Sequence, residues 1–415
     1  VSLRVLVLSG GRTVRQLQEQ TDYDVVLAEE NMTLEQLMLA DYPLEVDFDD
    51  WDSVIAQVAE AHAQQPFDAV VTGVERLVPL AGRLRAELKL EHGVGEQAAR
   101  DCIDKAATHR LLAEAGVPVP RNRVVRDAAE GGAAAGELGL PVVVKPRDAS
   151  SAAGLKYCET REEVEQAVAD IVAGGRDSAL LEEYVTGPEF GVFAARVGGE
   201  TEVLWVVEGE VGPPPTFVKV GGFFPSRLDD ARRAELDALT ARALAAVGLD
   251  DWVAALQFTL TADGWRAGEI NPRVPGGQAV EMIRTTTGHE PSLVAAEAAL
   301  GRRVEAGRAR NAAGLYRSVV FDAAGRIDYV RKDVRELAGL ESPVPPFVEF
   351  DVEPGEAVLP VGHPRGGAFG RIVLAGESLE QLERDYARVM EQLAVRLVSE
   401  PVADAAVERA HTSCC

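Results

Sequence analysis

Gly268-Glu269-Ile270-Asn271-Pro272-Arg273 alternates polar and apolar side chains with the period of a β-strand and then breaks at a proline. Upstream, residues 254–261 carry a second strand pattern, and Ala262-Asp263-Gly264 between the two makes a good hairpin turn. Alternation puts Glu269 and Asn271 on one face, which Arg273 shares if the strand continues past Pro272, and hairpin pairing can bring Gln257 opposite them. Gln257, Glu269 and Asn271 are three oxygen donors on adjacent strands. They suit a hard cation such as Mg²⁺, with Mn²⁺ as the alternative. Arg273 adds a planar guanidinium of the kind that stabilises charge spreading over the oxygens of a phosphoryl group in transfer. A purely structural Glu-Asn-Arg network is the competing reading.

Working outward, two lysines extend the pattern. Six of the 42 Lys and Arg residues are lysines (89, 105, 145, 156, 219 and 332), so a lysine is a minority choice here. Lys105 follows Asp104 near the head of a helical pattern over 101–116, which stops at Gly116 with Pro118 and Pro120 beyond. Lys145 closes the short apolar strand Val142-Val143-Val144-Lys145-Pro146, where a solvated surface lysine is a poor explanation. Two cations on facing elements can hold a polyphosphate as point charges. The small residues of 148–154, Ser150 and Ser151 among them, let N–H groups and hydroxyls approach phosphate oxygens closely; an ordinary flexible loop is the alternative.

Composition narrows the classes. A chain of 415 residues with 47% apolar and 26% charged residues reads as two to four compact units of a globular protein. No stretch approaches 18 uninterrupted apolar residues, and residues 1–10 are too short for a signal peptide, so a soluble cytoplasmic protein is expected. Four cysteines, two of them Cys414 and Cys415, give neither a disulfide framework nor a CxxC metal pattern. The net charge of -25 disfavours nucleic acid and anionic membranes as partners and favours small molecules. No GxxxxGK[ST] occurs, no serine or cysteine nucleophile is signalled, and the six histidines show no metal spacing.

The expected fold is mixed α/β and α+β. Residues 1–95 read as a doubly wound α/β domain, because strand patterns at 3–8, 24–28 and 67–72 flank a helical stretch at 52–63. Residues 96–300 read as an α+β core, 301–400 as a C-terminal α+β part with a helix over 379–398, and 401–415 as a mobile tail.

Three segments together resemble the ATP-grasp superfamily: Asp104-Lys105 with Val144-Lys145-Pro146, then 181–190, then Gln257 with 268–273. The resemblance implies two α+β subdomains clamping Mg-ATP, with Lys105 and Lys145 on the phosphates and the Ser150-Ser151 loop over them. Glu182, Glu183, Tyr184 and Val185 would form the hinge that reads the adenine, and Glu189 would accept the ribose hydroxyls. Where much of the family has an acidic first metal ligand, this chain has Gln257. It further implies that a carboxylate attacks the γ-phosphate to give an acyl phosphate, which an amine then displaces.

Within the superfamily the chain is most similar to L-amino-acid ligases that make dipeptides, through Arg273-Val274-Pro275-Gly276-Gly277, Thr287-Gly288 and 214–225. Gly276 and Gly277 would leave room for an amino acid, or simply make a tight turn; Arg284 would pair with a carboxylate, or solvate its surface. Those relatives commonly carry an acidic residue where Lys219 stands and a histidine where Gly222 stands. This exchange of charge suggests that Lys219 holds a carboxylate of an acidic amino acid such as glutamate, with a surface lysine as the alternative. A homodimer is common for the architecture. A carboxylase or small-molecule kinase of the same fold, or a non-catalytic ATP-binding regulator, are the rival readings.

Overall fold

The computed structural model describes residues 2–40, 42–148, 154–307, 309–329, 337–363 and 365–398. Ser150, Ser151 and the 401–415 tail, with Cys414 and Cys415, lie outside the described residues.

The chain begins with β1 (Arg4–Leu8), α1 (Gly11–Gln20), β2 (Asp24–Glu29), α2 (Leu34–Leu39), β3 (Tyr42–Glu45), α3 (Trp51–Gln64), β4 (Ala69–Val71) and α4 (Val78–Glu87). The strands pair in parallel in the order β3-β2-β1-β4. β1 is buried at every position, which is why it reads as an unbroken apolar run rather than an alternating one.

The helix expected over 101–116 is two helices, α5 (Glu96–Ile103) and α6 (Lys105–Glu114). The break falls at Asp104, whose extended backbone frees its carboxylate to accept from the N–H groups of Ala106 and Ala107 and start a new helix. A four-stranded sheet follows, built from β5 (Asn122–Val125), β6 (Val142–Pro146), β7 (Lys156–Cys158) and β8 (Ala179–Glu183) in the order β5-β8-β6-β7. Val142, Val144, Ala179 and Leu181 point from it into α7 (Ala128–Leu138) and α8 (Arg161–Ala173), so the residues between them, Val143, Lys145, Leu180 and Glu182, face the other way.

The remaining elements are β9 (Glu189–Val197), β10 (Glu200–Val211), β11 (Lys219–Phe224), α9 (Asp230–Ala246), β12 (Trp252–Thr261), β13 (Gly264–Asn271), α10 (Gly277–Thr287), α11 (Pro291–Ala299), β14 (Ala313–Ser318), β15 (Gly325–Tyr329), β16 (Phe347–Phe350), β17 (Ala357–Val358), β18 (Gly370–Gly376), α12 (Leu379–Leu393) and β19 (Arg396–Val398). Eight of these strands form one sheet in the order β13-β12-β9-β10-β11-β14-β18-β16, so a single sheet runs through residue 300 into the C-terminal part. On one of its faces Phe193, Trp205 and Val253 pack on α10 and α11; on the other, Phe223, Leu315 and Leu374 pack on α12. The helix expected over 379–398 ends at Leu393, because Ala394 takes a left-handed conformation and turns the chain into β19, which pairs with β15.

Candidate active site

The inner face of the four-stranded sheet and one end of the large sheet's α10 face carry the charged residues singled out in the sequence. Lys145 on β6 reaches Glu182 on β8, Nζ to Oε2 2.7 Å, with both side chains nearly closed off from solvent. Beneath them His109 of α6 donates from Nε2 to the Gly268 carbonyl at 2.7 Å and turns Nδ1 toward Glu182 at 3.3 Å. Burial pushes the His109 imidazole below its ordinary range, with the Lys145 and Lys105 charges adding to it against the pull of Glu182.

Lys105 arrives by a different route. The Arg147 guanidinium, just past Lys145 in sequence, grips both carboxylate oxygens of Asp104, and the Lys105 N–H donates to the Arg147 carbonyl at 3.0 Å. The head of α6 is thereby tied to the end of β6, which brings two lysines 40 residues apart in sequence to one place.

Glu269 is the centre on which they act. Burial raises its carboxyl, but the Lys105 and Lys145 charges, a hydrogen bond from Asn271 Nδ2 to Oε1 at 3.2 Å and the Lys219 charge outweigh this, so its carboxyl lies below the ordinary range. Gln257 sits directly across from Glu269 in the β12–β13 ladder because a bulge skips Gly268, which regular pairing from the turn would have set opposite Gln257, and it donates from Nε2 to Glu189 at 2.5 Å. Glu189 lies the other way: burial lifts its carboxyl, and Lys219 and Gln257 only partly offset the rise.

Lys219 reaches this face through an irregularity. Residues 219 and 222 differ in parity and on a regular strand would point oppositely. The β10–β11 ladder, however, pairs Gly222 with Gly209 and Gly221 with Glu210, then skips Val220 and pairs Lys219 with Val211. This bulge turns Lys219 onto the same face as Gly222 and Glu189.

Arg273 is held from the N-terminal sheet. Its Nε and an Nη lie 3.1 and 2.9 Å from one carboxylate oxygen of Glu75, which opens the 3-10 turn Glu75–Leu77 after β4, and the other Nη donates to the Val274 carbonyl at 3.0 Å. Glu75 was not foreseen. The available signal was its place just beyond the carboxyl end of a parallel strand, where ligand sites of doubly wound sheets gather. Gly276 caps α10 and Gly277 opens it at φ 60°, so a tight turn is needed here whatever room it leaves. Arg284 lies farther along α10 and pairs with the buried Glu281, which also meets Arg12 of α1. Its described partners belong to the α1–α10 contact rather than to the lysine cluster.

In the hinge, the Glu183 N–H is committed to the Arg121 carbonyl at 2.9 Å and its carboxylate to the Arg121 side chain, so neither is placed to read a base. The Tyr184 N–H likewise goes to the Pro141 carbonyl at 3.2 Å. The Tyr184 ring meets Tyr157 of β7 and Phe217 of the loop before β11, with centroids 5.1 and 5.8 Å away.

Among the described residues no group of three or more His, Cys, Asp and Glu side chains is placed to hold a metal. The set on β12 and β13 is instead one charged carboxylate, Glu269, beside the amides of Asn271 and Gln257. Hard oxygen donors of this kind fit Mg²⁺ that also binds phosphate and water. No described helix is long and apolar enough to cross a membrane.

Residues 138–282 match the family model of the ATP-grasp domain. The protein named "Uncharacterized protein y4rH" from Sinorhizobium fredii is 28% identical over 358 residues, covering 84% of this chain and 72% of that one. A D-alanine–D-alanine ligase from Desulforudis audaxviator is 40% identical over 119 residues, 28% of this chain and 38% of the ligase, so the match spans well under half of that enzyme. In three dimensions an L-amino acid ligase from Bacillus licheniformis superposes with a TM-score of 0.76 at 19% identity, covering 97% of this chain and 99% of the other. The chain thus carries an ATP-grasp domain over residues 138–282, within a mixed α/β fold similar to that of the whole ligase structure.

Proposed function

We propose that the chain is an ATP-dependent carboxylate–amine ligase that joins two amino acids through an acyl phosphate. The observation that carries this reading is the convergence of three of the six lysines, Lys105, Lys145 and Lys219, on Glu269 between two sheets. Lysines are scarce in this chain, and three of them gathered with Glu182, Glu189 and Glu269 in one largely buried cluster suit a polyanion bound with its metal cation rather than a solvated surface. The similarity to ligases named for their amino-acid substrates supports the same reading.

Lys105 and Lys145 bind the phosphates, and Glu182 and the base of the hinge orient them. Mg²⁺ held by Glu269 and Asn271, with Gln257 beside them, would neutralise phosphate charge. A carboxylate oxygen of the first amino acid attacks the γ-phosphorus, the bond to the β–γ bridging oxygen breaks, and ADP leaves. Arg273 stabilises the charge on the transferring group. The second amino acid's amine then attacks the acyl carbon, phosphate leaves, and the amine proton passes to solvent. Lys219 holds a carboxylate of an acidic acyl donor such as glutamate, giving an α- or γ-linked product.

ADP and phosphate release from Mg-ATP, measured against amino acids singly and in pairs with products weighed by mass spectrometry, tests the reading. ADP release that needs two amino acids, with a product of their summed mass less water, is expected. Turnover with bicarbonate or with one acceptor alone would place the chain with carboxylases or kinases instead. In the same assay Lys219→Glu is expected to lower kcat/KM for acidic donors at least tenfold; an unchanged preference removes Lys219 from donor recognition.

A further inference from the structure

One row of paired residues crosses the large sheet on the site face: Glu189 of β9, Gly209 of β10, Gly222 of β11 and Tyr316 of β14. Neighbouring strands lie about 4.8 Å apart, so two glycines separate the Glu189 carboxylate from the tyrosine. The gap at Gly222 is filled from the next strand. A Cβ on Gly222 would lie 2.6 Å from Cε1 of Tyr316 and 2.8 Å from its Cζ and Oη. It is the phenol end of the ring that covers Gly222, so the ring leans from β14 over β11 in the direction of Glu189.

Two features hold it there. Tyr316 is 5% exposed and packs on Val207, Val373 and Met282, the last from α10, the helix that follows the Arg273 loop. Two residues on, Ser318 shares its face, donates to the Lys219 carbonyl at 2.6 Å and meets Gln278 of α10 at 3.1 Å. One strand therefore both supplies the ring and anchors the backbone of Lys219.

We infer that Tyr316 is a specificity-determining residue, the aromatic wall of the donor subsite whose cation is Lys219. This rests on the ligase reading above and deepens it. With glycine at 222, the boundary of the subsite is set by a ring from β14 instead of a side chain from β11. Because the ring is packed on three sides, it limits the length and bulk of the donor side chain rather than yielding to it. The subsite then takes a compact acidic amino acid and rejects large apolar ones.

The test compares the wild-type chain with Tyr316→Ala, Tyr316→Leu and Tyr316→Phe, reading kcat/KM for a donor panel of aspartate, glutamate, methionine, leucine and phenylalanine. KM for ATP and the far-ultraviolet circular dichroism are followed alongside. Tyr316→Ala and Tyr316→Leu are expected to raise kcat/KM for the large apolar donors, relative to the acidic ones, at least tenfold with KM for ATP unchanged; Tyr316→Phe keeps the wild-type preference. If Tyr316→Ala does not fold, Tyr316→Leu, which keeps an apolar filler, carries the comparison. A wild type that turns over amino-acid pairs while the folded variants keep its preference overturns this inference alone. A wild type with no pair-dependent ADP release overturns the ligase reading and the inference with it.

Discussion

Arg273 and Glu75 show how a single residue is prepared for its role. The guanidinium meets a carboxylate from the turn after β4 through two of its nitrogens and a carbonyl through a third, so its plane is held before any ligand arrives. Arg273→Ala is expected to lower kcat by about 10²-fold or more, the scale of losing a preorganised donor to developing charge. Arg273→Lys is not expected to restore it, because an ammonium cannot keep the forked contact. Steady-state kinetics with KM for ATP followed separately checks both; a lysine variant with near wild-type kcat would show that charge alone suffices.

At the scale of elements, the β10–β11 bulge and the break at Asp104 do comparable work: each spends local regularity to aim a lysine. Inserting one residue between Glu210 and Val211 gives Val220 a partner in the ladder, restores the two-residue period and turns Lys219 to the opposite face. The expected result is a rise of at least tenfold in KM for the acyl donor with KM for ATP unchanged; equal donor KM values would mean that the bulge does not place Lys219. A second element-scale prediction concerns α12. Hydrogen bonds from Arg384 and Arg388 hold the Glu341 carboxyl down at about 2, and so pin α12 to the loop before β16. A carboxyl held below its unfolded value contributes stability that is present above the ordinary carboxylate range and is lost as pH falls toward about 2. Acid unfolding of Glu341→Gln should therefore show a shallower fall in stability over that interval than the parent, measured by denaturant titration at stepped pH.

The first sheet and one face of the large sheet share a core. A single cluster of buried side chains runs from Val5 and Leu27 of the first sheet through Leu84 and Cys102 to Leu244, Trp252, Trp265 and Ala299. Tyr23 and Arg302 join the same parts at the surface through Glu297. Because no seam in this core separates the described residues of the first sheet from the large sheet, thermal unfolding followed by tryptophan fluorescence, which reports on Trp51 beside the first sheet and on Trp205, Trp252 and Trp265 of the large one, should coincide with that followed by far-ultraviolet circular dichroism. Two resolved transitions would show that the first sheet unfolds independently.

Local pattern was sufficient wherever the physics is local. Period-two alternation placed Glu269 and Asn271 together, and amphipathic spacing located α8 and α9, whereas bringing Gln257 across from Glu269 took a bulge at Gly268 that no local pattern signals. The ATP-grasp resemblance was legible because the residues that carry it stand in short contiguous runs. What the sequence alone could not decide depended on partners distant in the chain. Asp104 meets Arg147 from 43 residues away, the site-facing turn of Lys219 needs an extra residue in a ladder whose register only the folded sheet defines, Glu75 enters from the turn after β4, 198 positions before Arg273, and Tyr316 enters from β14, 94 positions after Gly222. Hydrophobic periodicity fixes which face a side chain takes within its own element; only packing determines which other element's side chain fills the space in front of it.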